Sequence, residues 1–289
     1  MLILAAAALW GTTGTAQALG PATSDPLGVG LVRLLVAAPA LVLLAVVVDR
    51  DAVRSGWRAM PVAATVCAAA AMAAYQPAFF TAVDRTGVAM GTVVAIGSAP
   101  IITGVLAWFA DGIRPQRVWW VATPLAVMGV ALLAATGSGG GIGVDPAGVL
   151  LAVGAGASYA VYVVASMRLV RHGSAVLAMA VVFVLAAVFL LPLMWFVDLG
   201  WIRSASGIGV AIHLGVVATA VAYALFATGL RTTPAATAAT LTLGEPLTAT
   251  LLGVVVLGER PGLTAWIGAA LIALGLFLTV ARRTPSHAV

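Results

Sequence analysis

Apolar stretches of about 20 residues, the length a helix needs to cross the ~30 Å hydrocarbon core of a bilayer, follow one another along this sequence almost without interruption. They fall at 2–20, 27–48, 61–82, 87–110, 117–136, 147–167, 175–197, 207–230, 234–257 and 263–281. The segments between them are short, so no water-exposed domain fits anywhere in the chain. Of 289 residues, 63% are hydrophobic and 8% charged, whereas a soluble domain carries about 25% charged residues. An ordinary soluble enzyme, a disordered protein and a DNA-binding protein are excluded. The expected fold is an all-α membrane protein of ten transmembrane helices, with the bilayer as its first partner.

The charges set orientation rather than nucleic-acid affinity. All 14 basic residues are arginines, and no basic run exceeds Arg282-Arg283. With both termini cytoplasmic, Arg50, Arg54, Arg58, Arg114, Arg117, Arg168, Arg171, Arg231, Arg282 and Arg283 face inward, and Arg85, Arg203 and Arg260 face outward. That bias satisfies the positive-inside rule and predicts a multi-pass protein of the cell (inner) membrane. Trp57, Trp108, Trp119, Trp120, Trp195, Trp201 and Trp266 fall at span ends, where aromatic belts form; Trp10 is mid-span. The first run has no basic residues before it and is read as a retained helix, not a cleaved signal. A lone Cys67 can form no internal disulfide.

Sliding the chain against itself by 146 residues aligns its halves without gaps. Arg85-Thr86 meets Arg231-Thr232, Pro100 meets Pro246, Gly112 to Pro115 meets Gly258 to Pro261, Trp120 meets Trp266 and Gly129 meets Gly275. Residues 85–135 and 231–281 share 13 identities in 51 positions. The halves are 1–136 and 147–289, joined by a Gly-rich linker at 137–146. Five helices is an odd number, so the second half enters the membrane inverted. Inverted repeats are an architecture of secondary transporters, with the site at the midplane between halves.

Ten helices in this duplication, with Trp10-Gly11, Arg33 and Leu243-Gly244-Glu245-Pro246-Leu247, resemble the EamA-type transporters of the drug/metabolite transporter superfamily. The most specific stretch is Leu257-Gly258-Glu259-Arg260-Pro261 followed by Ile267 to Gly275. The resemblance covers essentially the whole chain. It implies an inner-membrane permease for small metabolites, often an exporter of amino acids or related compounds. A multidrug-type exporter and a gradient-independent facilitator are the alternatives. The four-helix small multidrug branch carries a glutamate in its first helix; here there is none, which speaks against proton-coupled antiport of cationic drugs.

Glu245 leads the candidate site residues. Near the centre of its run, a carboxyl group costs several kcal/mol unless it faces a cavity or a partner. Two readings stand: a site for a proton or a substrate ammonium, or a structural glutamate satisfied by Arg33, Thr242 or Thr248. Pro246 removes a helical hydrogen bond and kinks the helix, and its counterpart Pro100 duplicates the kink without the charge. Tyr75, Tyr159, Tyr162 and Tyr223 lie inside spans, where a phenol needs a hydrogen-bond partner. With Trp10 they outline an aromatic, partly wet cavity between spans 1, 3, 4, 6, 8 and 9; the alternative for each tyrosine is helix–helix packing with its hydroxyl bonded to a backbone carbonyl. Arg33 either snorkels to the interface or clamps a substrate carboxylate. His213 is read as hydrogen-bonded packing or a titrating group, and Gln76 neighbours Tyr75 and the further kink at Pro77. Gly87-x-x-x-Gly91 and Gly11-x-x-Gly14 bear on helix contact alone.

No phosphate-binding loop occurs, and the chain has no lysine to complete one. The glycines of 137–143 miss the dinucleotide-binding spacing. No metal-ligand or nucleophile motif supports an intramembrane enzyme, so no cofactor and no metal are expected. Expected partners are lipid, a small-molecule substrate and, as candidates, protons and a second copy of the chain; nucleic acid is not among them. A channel or a purely structural membrane subunit fits the Glu-Pro kink and the duplication less well than a transporter.

Overall fold

The computed structural model describes residues 1–21, 25–135, 145–171 and 173–281, and among these every regular element is a helix. The main helices are α1 (Leu2–Ala18), α2 (Pro26–Val48), α3 (Val62–Thr86), α4 (Val88–Asp111), α5 (Trp119–Ala135) and α6 (Pro146–Val170). They continue with α7 (Ala175–Leu190), α8 (Ala205–Leu230), α9 (Ala235–Leu257) and α10 (Leu263–Ala281). A short helix, Arg50–Ser55, lies between α2 and α3, and 3₁₀ turns extend α7 to Trp195 and cover Gly200–Arg203.

Eight of the described helices, α2 to α4 and α6 to α10, are long and apolar enough to cross a membrane. Eight of the ten expected spans have this length, and the other two, α1 and α5, are each 17 residues long. At 1.5 Å per residue that is about 25 Å, the lower limit for a crossing. Gly20-Pro21 ends α1 early, and α5 starts only at Trp119, after the loop carrying Pro115. The Gly-rich linker falls largely on 136–144, outside the described residues, as do His172, His287 and Arg282-Arg283.

Local chemistry explains the boundaries. Asp25 and Asp145 cap α2 and α6 by accepting from the backbone N–H of Leu27 (3.1 Å) and Ala147 (3.0 Å), each with proline at the first helical position. Ser174 and Ser204 start α7 and α8 in the same way. Gly87, with φ +81°, makes the sharp separation of α3 from α4. Gly112 and Gly258 close α4 and α9 in the left-handed conformation at φ +68° and +70°.

Two helices depart from regularity. In α8, His213–Val221 is π-helical, and the Thr219 hydroxyl donates to the Leu214 carbonyl five residues back at 2.7 Å. α9 is interrupted at Thr242-Leu243, leaving two half-helices, Ala235–Leu241 and Gly244–Leu257. The kink expected at Pro246 is thus a break placed just before Glu245, whereas α4 runs continuously through Pro100. Pro246 sits in the first turn of the second half-helix, where a missing N–H costs little.

α1 packs against α8 and α9, while α6 packs against α3 and α4. α2 lies on α7 and α8, α3 touches α7, and α4 meets the first half of α9. α5 and α10 pair closely: a Cβ on Gly129 would stand 2.7 Å from Ile272, and one on Gly275 2.7 Å from the Ala122 carbonyl. Alanine and glycine at such contacts let backbones approach where no hydrophobic force drives helices together in lipid.

Candidate functional site

Residues of α1, α2, α3, α4, α6, α8 and α9 enclose a cavity of about 390 Å³. Helical spacing selects its walls. Trp10, Thr13, Gly14 and Gln17 follow one face of α1; Tyr75, Gln76, Phe79 and Phe80 one face of α3; Thr92, Ala95, Ile96 and Ala99 one face of α4. Arg33, Tyr159, Tyr223, Thr242, Glu245, Pro246 and Ala249 complete it. The cavity is displaced toward the end of the bundle holding the α1–α2 and α3–α4 connections, since its residues come from the C-terminal halves of α1 and α3 and the N-terminal halves of α2 and α4. Below it, Tyr162, Phe183, Tyr223 and Phe226 form a packed aromatic floor, with Phe183 and Tyr223 ring centroids 4.7 Å apart. Trp10 rests on Tyr223 at 4.8 Å.

Opposite charges share this space without meeting. Arg33 and Glu245 are within electrostatic reach of each other, yet they form no ion pair; the close pairs among the described residues are Arg85–Asp145 (2.6 Å) and Arg168–Asp111 (2.7 Å). The two threonines beside Glu245 are engaged elsewhere: Thr242 donates to the Ala239 carbonyl at 2.7 Å and Thr248 to the Gly244 carbonyl at 3.1 Å. Each structural partner considered for Glu245 is therefore absent from its carboxylate. Arg33 stands beside the Tyr223 hydroxyl. Four buried polar atoms on the wall lack a partner: Trp10 Nε1, Arg33 Nε, Gln76 Nε2 and the Tyr159 hydroxyl. A buried unpaired donor costs about 1–3 kcal/mol, so the wall combines three N–H groups and one hydroxyl of high hydrogen-bonding potential with the carboxyl group of Glu245. Gly30 makes this possible on α2, because a Cβ there would stand 2.8 Å from Phe80 and 3.3 Å from the Gln76 side chain.

The sequence profile of the EamA-like transporter family matches residues 1–135 and 146–281. The chain belongs to this family. Transporter YwfM of Bacillus subtilis (strain 168) is 47% identical over 278 residues, covering 96% of this chain and 92% of that one. Permease-like protein YdzE of the same organism is 41% identical over 69 residues, 24% of this chain and 88% of its own length. A solved crystal structure with 22% sequence identity superposes with a TM-score of 0.82, over 97% of this chain and 95% of the other, and shares the fold. Family and relatives are those of membrane transporters.

In this EamA-family chain the predicted residues Trp10, Arg33, Tyr75, Gln76, Tyr159, Tyr223, Glu245 and Pro246 come together on the cavity wall. Tyr162, His213 and Pro100 do not. Tyr162 is fully buried in the floor and its hydroxyl donates to Met179 Sδ at 3.1 Å. His213 lies off the cavity at the start of the π-helical segment, hydrogen-bonded through Nε2 to Thr12 Oγ1 at 2.8 Å. Arg33 does not snorkel; its Nε is buried at the wall. Trp119 and Trp201 leave the expected interfacial belt, at 5% and 4% exposure, Trp119 filling the space that Gly104 vacates. Phe79, Phe80, Gln17 and Thr92 were not singled out by their residue types. A step of four from Tyr75 reaches Phe79, a step of four from Gln76 reaches Phe80, and two turns from Trp10 reach Gln17.

Proposed function

We propose that the chain is a secondary transporter built as two inverted five-helix repeats, working by alternating access and exporting amino acids or related small metabolites across the inner membrane. Both termini are cytoplasmic in this reading, which gives α1 and α5 the role of full crossings. The packing pattern supports the inverted duplication: α1 on α8 and α9 corresponds to α6 on α3 and α4, while the α2–α7, α4–α9 and α5–α10 pairs each map onto themselves. Gly129 against Ile272 and Gly275 against Ala126 are the same contact read from either half, as 275 is 129 shifted by 146 and 272 is 126 so shifted.

The observation that carries the function is that Arg33 and Glu245 face one cavity without forming an ion pair. A dipolar cargo places its carboxylate at Arg33, with Gln76 and Trp10 supplying further N–H donors, and its ammonium at Glu245. Tyr75, Phe79 and Phe80 then receive an apolar side chain. In this cycle Glu245 exchanges a proton or the ammonium as the halves rock. Gradient-independent facilitation is the second reading, and Arg33 favours it: with both groups ionised the empty site is formally neutral. Counterflow in proteoliposomes with a panel of amino acids, run for wild type and Glu245→Gln with and without a pH gradient, separates them. Gradient-stimulated uptake abolished by the substitution supports proton coupling. Flux indifferent to the gradient and to Glu245→Gln refutes that cycle, and no flux of any amino acid refutes the cargo class.

A further inference from the structure

The cavity is one-sided, and its counterpart is hidden inside the molecule. Gln17, Arg33, Gln76, Phe80 and Thr92 line it toward one end. A shift of 146 residues turns them into Val163, Met179, Ala222, Phe226 and Ala238. Each of these is 0% exposed. They belong to the packed end, where Tyr162 donates to Met179 Sδ and the rings of Tyr162 and Phe226 lie 6.4 Å apart at 22°.

We infer that Val163, Met179, Leu225 (the counterpart of Phe79) and Phe226 wall a second access route, opening at the cytoplasmic face, and that this route is apolar where the first is polar. It rests on the alternating-access reading above. When two halves of one architecture exchange conformations, each wall position of the open side passes to its counterpart. Met179 then takes the place now held by Arg33. An unbranched thioether fills the position without charge and adapts to a changing outline. Opening the route breaks the Tyr162–Met179 hydrogen bond and parts Phe226 from Tyr162. Charged recognition is thereby confined to one mouth, and at the other the cargo slides past Val163, Met179 and Leu225.

Cysteine labelling tests this. In a Cys67→Ala background, Val163→Cys, Met179→Cys and Leu225→Cys are compared with Leu34→Cys and Leu41→Cys, both 0% exposed in the parent and neither on the wall nor counterpart to it. A membrane-impermeant maleimide is applied to inverted vesicles and to intact cells, with size-exclusion profiles confirming folded protein. All three test substitutions reduce side-chain volume, so they do not overfill the packed end. The three cysteines are expected to react about 10-fold faster or more than the controls from the cytoplasmic face, as a populated minor state allows, while Gln17→Cys reacts from the opposite face. Reaction no faster than at Leu34 or Leu41 overturns the route. Amino-acid counterflow in the same preparations tells two failures apart. Inert cysteines with transport intact mean that the carrier alternates by other walls. Inert cysteines with no transport indict the alternating-access reading itself.

Discussion

A single methyl group on Gly11 is the sharpest probe of how α1 is seated on the Glu245 turn. An added Cβ would lie 2.6 Å from Thr248 Cβ, 2.7 Å from the Glu245 carbonyl oxygen and 3.0 Å from the Ala249 nitrogen. Unbonded carbons settle at about 3.5–4.0 Å, so α1 must retreat by roughly 1 Å. Overpacking of this kind costs about 1–3 kcal/mol, against which alanine recovers about 0.5–1 kcal/mol of helix propensity. Taking the middle of each range, the net loss is about 1 kcal/mol, a drop in melting temperature of roughly 2–4 °C for a chain of this size. Gly14 lines the same cavity one turn along, and a Cβ there meets nothing within 4 Å. Gly14→Ala is therefore expected to melt at or slightly above wild type. Thermal challenge followed by fluorescence-detected size exclusion measures both. An unchanged melting temperature for Gly11→Ala, or an equal loss for Gly14→Ala, refutes the seating of α1 described here.

Three further outcomes follow from the same geometry. Arg33→Gln and Glu245→Gln each remove one charge from the cavity; a charge-assisted hydrogen bond contributes about 1.5–3 kcal/mol, so counterflow affinity for a dipolar cargo falls roughly 10- to 150-fold, and an unchanged half-saturation value excludes contact with that group. Gly129→Leu drives a side chain into Ile272 and the Gly268 carbonyl, and is expected to prevent recovery of monodisperse protein, whereas Gly154→Leu, with nothing within 4 Å, is tolerated. Asp145 lies outside the membrane helices, and the Arg85 guanidinium holds its carboxyl below the ordinary value of 3.8. A depressed carboxyl contributes stability that is full above the unfolded value and lost as pH falls through the folded one. Arg85→Gln is therefore expected to lower the melting temperature slightly at pH 7 and by less at pH 3; an equal effect at both values refutes the pairing.

How much was legible in the sequence depended on contrast. Glu245 and Arg33 stood out because an ionised group in an apolar run is costly, and both reach the cavity. Phe79 and Phe80 were invisible for the opposite reason: an aromatic ring in an apolar helix carries no contrast, and only its phase relative to Tyr75 marks it. Polarity alone left two readings of His213 open, since it does not say which face of a helix is occupied; the hydrogen bond to Thr12 matches the packing reading. Trp119 shows the limit of the belt rule, because a glycine on a neighbouring helix can draw an end-of-span ring inward. The break in α9 could not be read from Pro246, as the same proline in α4 leaves the helix whole. Helix ends were read best where an Asp-Pro pair or a glycine in the left-handed conformation supplied the signal.

The α5–α10 pair has a mechanical consequence. Gly129, Gly268 and Gly275 let the two backbones approach, with Ile272, Leu132 and Ala126 set against them from the facing helix, and neither helix supplies a residue to the cavity wall. So closely fitted a pair is expected to move as one unit, and a pair of spectroscopic labels across the seam is expected to report a constant distance against which every displacement at the cavity can be measured.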